Sequence, residues 1–255
     1  MKRKLLLFLA GAVVMELPAC VKHLDVGELI QQEVKSCPIV QLESLDTLNP
    51  VQIVVHYNTA GNPVEVLNVE GTNPADMQDY HFRYDRFNRL TDYLMNPSIS
   101  PAALGWHTYT YPSKSMVVDS IYGENDPALI TAPKPNADGF LGVTFHFLDS
   151  EGRIIEDQGF NNATFQYDAW GNLIRGQPFP YDNKSNPYLT NNVWRFIFED
   201  YSVNNYLGGL FGPFTITKYN AFGLPENFQG YGQELFNYSF FTLQITYGCN
   251  GGKKS

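Results

Sequence analysis

Any chemistry in this chain has to come from its carboxylates, its five histidines, its three cysteines or its many aromatic rings. Asp85, Asp149 and Asp168 recur in one local setting, which invites an acid–base reading. Glycoside hydrolysis needs two carboxylates facing each other across a sugar at about 5–10 Å, and nothing along the sequence selects such a pair. Each of the three stands three residues before a Gly or Asn, so capping of turn N–H groups accounts for them. His23, His56, His81, His107 and His146 are scattered, without the His-x-x-x-His or Cys-x-x-Cys spacing that builds a metal site. They read as single histidines on strand faces, and neither a metal nor a cofactor is expected. Asp182-Asn-Lys-Ser-Asn186 is oxygen-rich but lacks the ligand alternation of a calcium loop and reads as a turn. No Gly-x-Ser-x-Gly elbow and no phosphate-cradling loop occurs. No catalytic residue is assigned.

The aromatics are the stronger candidates. Of 16 Tyr, 18 Phe and 3 Trp, most occupy alternating positions, which assigns them to a core or to cross-strand pairs. Trp106, Phe179, Tyr181, Tyr188 and Phe211 fall in or beside loops and have less reason to be buried. Beside Asn and Asp, such rings can stack on sugars or dock a partner protein. They form the expected binding surface.

What must position these groups is a set of hairpins. Five segments repeat one turn: Tyr57-Asn58-Thr-Ala-Gly61, Tyr84-Asp85-Arg-Phe-Asn88, Leu148-Asp149-Ser-Glu-Gly152, Tyr167-Asp168-Ala-Trp-Gly171 and Tyr219-Asn220-Ala-Phe-Gly223. An Asp or Asn opens the turn and a residue tolerant of positive φ closes it, the chemistry of a type I turn with a left-handed bulge residue. Between turns the period is two, as in Val51/Ile53/Val55/Tyr57, Phe145/Phe147, Phe165/Tyr167, Trp194/Phe196/Phe198 and Phe241/Leu243/Ile245/Tyr247, marking strands with one buried face. Trp106–Tyr111 and Ser115–Tyr122 pair across Pro112-Ser113-Lys114. Longer Gly-, Pro- and Asn-rich loops cover about 123–139, 176–192 and 202–212. The sequence therefore predicts an all-β fold: an up-and-down antiparallel meander of roughly 14 strands curled into an open or closed barrel. A lipid-spanning porin is disfavoured, because Arg195, Glu199, Lys218 and Gln244 interrupt any outward apolar band.

The N-terminus carries an address. Met1-Lys2-Arg3-Lys4 is basic, Leu5 to Met15 is apolar, and Leu17-Pro18-Ala19-Cys20 closes the segment, the layout of an export signal. It resembles the lipobox of bacterial lipoproteins, which implies lipidation of Cys20; ordinary secretion and a buried N-terminal segment are the alternatives. Without residues 1–19 the chain has 14 basic against 25 acidic residues, a net charge of −11. That argues against nucleic acid and leaves the acyl anchor as the only membrane contact. Residues 20–36 read as a tether, 37–250 as one hairpin-repeat domain and 251–255 as a disordered tail. In an exported chain Cys37 and Cys249 are expected to pair, with two free buried thiols as the alternative.

The Tyr-Asp-x-x-Gly-Arg/Asn-Leu signature resembles the YD repeats of Rhs and toxin-complex proteins. The whole chain is similar to uncharacterised Bacteroides-type lipoproteins, one family of which is a domain of unknown function with a porin-like fold. Cys20, Cys37-Pro-Ile-Val, the repeated turns and Thr246-Tyr247-Gly248-Cys249 carry that resemblance, which implies a fold and an address but no activity. The leading expectation is a non-enzymatic lipoprotein that binds an envelope protein or glycan at the outer membrane. The sequence after Cys20 lacks a dense acidic run, which favours the periplasmic face. The alternatives are a carbohydrate- or lipid-active enzyme whose site forms only in three dimensions, and a passive envelope component.

Overall fold

A computed structural model of the chain describes residues 34–44, 50–71, 78–97, 104–124, 131–160, 162–175, 180–209, 212–213, 215–235 and 238–249. Cys20 and the 251–255 tail lie outside them. The described strands are β1 (Ile39–Ser44), β2 (Val51–Tyr57), β3 (Pro63–Gly71), β4 (Gln78–Tyr84), β5 (Leu90–Pro97), β6 (Leu104–Ser113), β7 (Met116–Glu124), β8 (Phe140–Leu148) and β9 (Ile154–Gly159), followed by the short β10 (Ala163–Thr164). Then come β11 (Tyr181–Ser185), β12 (Asn204–Tyr206), β13 (Gly208–Gly209), β14 (Gly212–Pro213), β15 (Thr215–Tyr219), β16 (Pro225–Leu235) and β17 (Tyr238–Tyr247). Thirteen of them form one sheet in the order β10-β9-β8-β7-β6-β5-β4-β3-β2-β1-β17-β16-β15, with antiparallel neighbours throughout. This is an all-β meander, and only the β1–β17 pairing departs from chain order.

The turns explain the meander. In all five, the side-chain oxygen of Asn58, Asp85, Asp149, Asp168 or Asn220 accepts hydrogen bonds from the N–H groups two and four residues on, at 2.8–3.0 Å. The closing residues Gly61, Asn88, Gly152, Gly171 and Gly223 have φ between 61° and 83°. Because alternate hairpin ends of a meander share one edge, the turns line up along a single rim. There tyrosines, two of them from the repeated turns, reach the neighbouring hairpin: the hydroxyls of Tyr84, Tyr111, Tyr167, Tyr181 and Tyr247 donate to the carbonyls of Pro63, Leu90, Ile154, Leu173 and Pro225. The tyrosine of the repeat is thus a tie between hairpins, which turn chemistry alone does not require.

The barrel expected from the sequence, and with it the porin-like description, is corrected. Terminal strands β10 and β15 share no ladder, so the sheet is open. The residues between them do not continue the meander. Asn191 caps a short helix, α1 (Asn192–Ile197), by accepting from the Val193 N–H, directly after a 3₁₀ turn at Pro187–Thr190. The Trp194/Phe196/Phe198 alternation, which reads as a strand, is therefore a helix and its exit. The surrounding segment bridges the sheet's two ends by scattered hydrogen bonds rather than a ladder: among them, Asn204 N–H donates to Asn172 on one side, and Ser185 N–H donates to the Gly223 carbonyl on the other. Tertiary burial overrides local period here, since Trp194 is 0% exposed.

The main core lies on the sheet face that this segment covers. Ile39, Ile53, Val55, Val66, Phe82, Tyr93, Tyr109, Phe228 and Leu243 pack there with Tyr188 and Trp194. A second cluster of Val34, Cys37, Leu189 and Leu224 lies at the rim, where a disulfide joins Cys37 to Cys249 across a separation of 212 residues. A third, Leu94 and Trp106 with Tyr122 and Ala132, lies on the opposite face. No helix among the described residues is long and apolar enough to cross a membrane.

Candidate functional site

The covered face is apolar over β1–β5 and becomes polar over β6–β9. Four consecutive strands there each contribute one ionisable side chain, in the order His107, Asp119, His146, Asp157. His146 and Asp157 are direct cross-strand partners. Asp119 lies two residues from Ile121, the partner of His107, and directly opposite Thr144, two residues before His146, which sets the diagonal contacts. His107 Nδ1 is 2.8 Å from Asp119 Oδ2, His146 Nε2 is 3.8 Å from the same oxygen, and His146 Nδ1 is 2.7 Å from Asp157 Oδ1. Asp119, His146 and Asp157 are buried.

Helix α1 and the residues just after it complete the row. Phe196 stands edge-on to both Tyr109 and His146, with ring centres 5.2 and 5.4 Å away. That contact carries the chain to Glu199, half-buried, whose carboxyl shares a hydrogen bond with Asp157. Glu199 has φ 51°, a left-handed conformation that costs a non-glycine residue about 1–2 kcal/mol. One ligand atom from each of His146, Asp157 and Glu199 can be chosen so that all lie within 4.8 Å of one another, the spacing of a metal-ligand set. Beside them Asp119 Oδ1 is buried with no hydrogen-bond partner among the described residues. A buried carboxylate oxygen left alone is costly and calls for a cation or a donor.

The electrostatics follow from burial and neighbours. Burial pushes the Glu199 carboxyl up, and the Asp157 charge adds to this, to about 7. Burial alone would lower the His146 imidazole, but the Asp119 carboxylate 3.8 Å away and the hydrogen bond to Asp157 outweigh that and hold it well above its ordinary value. Burial likewise works against the Asp119 charge, and the hydrogen bond with His107 together with the nearby His146 overcomes it and keeps that carboxyl low.

Sequence reading did not find this group. It treated His107 and His146 as isolated strand histidines and Glu199 as an outward strand residue. A partial signal was present: the 149–152 turn puts His146 and the acidic Glu156-Asp157 on one hairpin, but a β-bulge beside Leu148 is what sets His146 against Asp157. Glu199 had no such signal, because α1 positions it. The predicted aromatic surface is not gathered into one place. Trp106 belongs to β6 rather than to a loop and is 0% exposed, its indole N–H donating to Asp92. Tyr188 is buried and stacks on Phe198, and Tyr181 is half-buried, its hydroxyl held by Leu173 and Ser202. Those three rings serve packing; Phe179 and Phe211 lie outside the described residues. A cleft of about 280 Å³ on β15–β17 is lined by Lys218, Phe222, Glu226 and Tyr247, and its only charges pair with each other at 2.7 Å.

No protein-family model matches the chain, and neither does any curated protein. The assignment of the site therefore rests on its own geometry.

Proposed function

We propose that the protein is a metal-assisted hydrolase whose centre is His146, Asp157 and Glu199, with Asp119 beside them, acting on a carbohydrate or lipid. The gathering of three donor atoms within 4.8 Å next to an unpartnered buried carboxylate oxygen carries this reading. One imidazole with carboxylates is a donor set for Zn²⁺ or Mn²⁺. Three protein ligands leave a coordination position for water, as in catalytic rather than structural sites. A bound cation supplies an acidified water at neutral pH. The chain's own part is to hold His146 in orientation through the β8–β9 pairing, to keep Asp119 ionised through His107, and to exclude bulk water with Phe196. Glu199, half-exposed, is the side from which substrate reaches the centre.

This reading takes the place of the non-enzymatic binding module, since the buried Trp106 and Tyr188 are lost to that surface. We retain the address read from the sequence as part of the proposal: export, lipidation at Cys20, and the periplasmic face of the outer membrane. An envelope glycan or lipid is then the substrate within reach. Chelator-treated protein assayed on chromogenic glycosides, esters and phosphoesters, before and after Zn²⁺ or Mn²⁺ is restored, tests the activity. Metal-dependent turnover that Glu199→Gln loses and His56→Ala keeps is expected. Turnover indifferent to both chelator and Glu199→Gln, or none across the panel, refutes the assignment.

A further inference from the structure

Two of the repeated turns present large rings to solvent where the turn does not need them. The residue before the closing position is Ala60, Phe87, Glu151, Trp170 or Phe222, and all five turns make the same bonds. Alanine or glutamate suffices, so the turn does not call for phenylalanine or tryptophan. Yet Trp170 is 76% and Phe87 63% exposed, the highest values among the large apolar side chains described. One such ring would be ordinary; two at the same position of a repeated turn, on one rim, mark that rim.

The same rim also carries charge. Arg86 stacks on Phe87 with its guanidinium 4.7 Å from the ring centre, and Lys114 is exposed at the β6–β7 turn. Neither takes part in an ion pair among the described residues. Of the rim carboxylates, Asp85 is paired with Arg89, and Asp149 and Glu151 share Arg153, which leaves Asp168 outside the ion pairs of the described residues. Arg86 and Lys114 are thus the rim cations left to meet an outside anion, Arg86 beside one of the two most exposed rings. The chain also enters the fold at this rim: Val34 and Cys37 are buried there against Leu189 and Leu224. Val34 follows Cys20 by 14 positions, a reach of at most about 50 Å when fully extended.

We propose that this rim faces the bilayer, with Trp170 and Phe87 seated at the headgroup–acyl boundary and Arg86 and Lys114 against lipid phosphates. Aromatic rings favour that boundary because one body can meet both apolar chains and polar heads. The inference rests on the lipidation of Cys20 and adds an orientation: the tethered domain sits turn-rim down.

The structure supplies its own reporter, since Trp106 and Trp194 are fully buried and Trp170 is not. The full-length lipidated protein is reconstituted into vesicles of phosphatidylethanolamine with a minority of phosphatidylglycerol, carrying brominated acyl chains, and scored for flotation and tryptophan quenching. Flotation with quenching that Trp170→Phe abolishes and Phe87→Ser weakens is expected. Flotation that Cys20→Ala abolishes, without quenching of Trp170, overturns the rim while leaving the anchor standing. Absence of flotation overturns both. None of these outcomes bears on the metal centre.

Discussion

Replacing Glu199 by glutamine in the metal-free protein isolates what the site costs the fold. Burial and the Asp157 charge hold the Glu199 carboxyl at about 7, against about 4.3 for a free glutamate. Each unit of that difference is worth about 1.4 kcal/mol, and partial solvent contact screens some of it. On the order of 2 kcal/mol of destabilisation therefore remains once the group ionises. The folded state holds the proton more tightly than the unfolded chain, so stability falls as pH rises from about 4.3 through about 7. Glutamine keeps the size and can still donate to Asp157 but cannot ionise. In chelator, urea melts should show the variant equal to wild type at pH 4 and more stable by on the order of 2 kcal/mol at pH 8, with the denaturant slope unchanged. Such a gain marks a residue kept for something other than stability. A variant less stable than wild type at pH 8 would refute the reasoning and make Glu199 a structural tie.

Other outcomes follow from the rim and the turns. Tyr84→Phe removes the 2.6 Å bond to the Pro63 carbonyl and should lower stability by about 1 kcal/mol, read as a shifted urea midpoint. Gly152→Ala has open space around the new methyl but keeps φ 77°, so conformational strain alone costs about 1 kcal/mol. Gly159→Ala, whose methyl meets the Val143 carbonyl, should cost more than that in the same melts. Replacing Cys37 and Cys249 by serine opens a loop of 212 residues and should cost about 5 kcal/mol by chain entropy. Non-reducing peptide mapping that recovers two free thiols from native protein would contradict the bridge.

What the sequence revealed and concealed divides by the range of the interactions. The hairpins were readable because each turn is chemically complete within five residues: Asp149 caps its own N–H groups and Gly152 supplies the positive φ. Openness of the sheet was not readable, because it depends on whether residues 181–206 prefer a ladder or a plug. The Trp194/Phe196/Phe198 spacing fits either until the Asn191 cap and the core decide. The site was half readable. His146 and Asp157 face each other by register alone, whereas Asp119 joins diagonally and Glu199 arrives across the covered face from α1. Of the tie tyrosines, Tyr84 and Tyr167 were visible in the repeats, but the partners of all five lie 8–22 residues away, beyond any local rule.

The most direct test of the metal centre is calorimetric titration of the chelator-treated full chain with Zn²⁺ and Mn²⁺, repeated in buffers of different ionisation enthalpy. The structure predicts one site per chain, proton release on binding, and loss of binding in Glu199→Gln but not in His56→Ala. Binding that is absent, or unchanged by Glu199→Gln, would contradict the account.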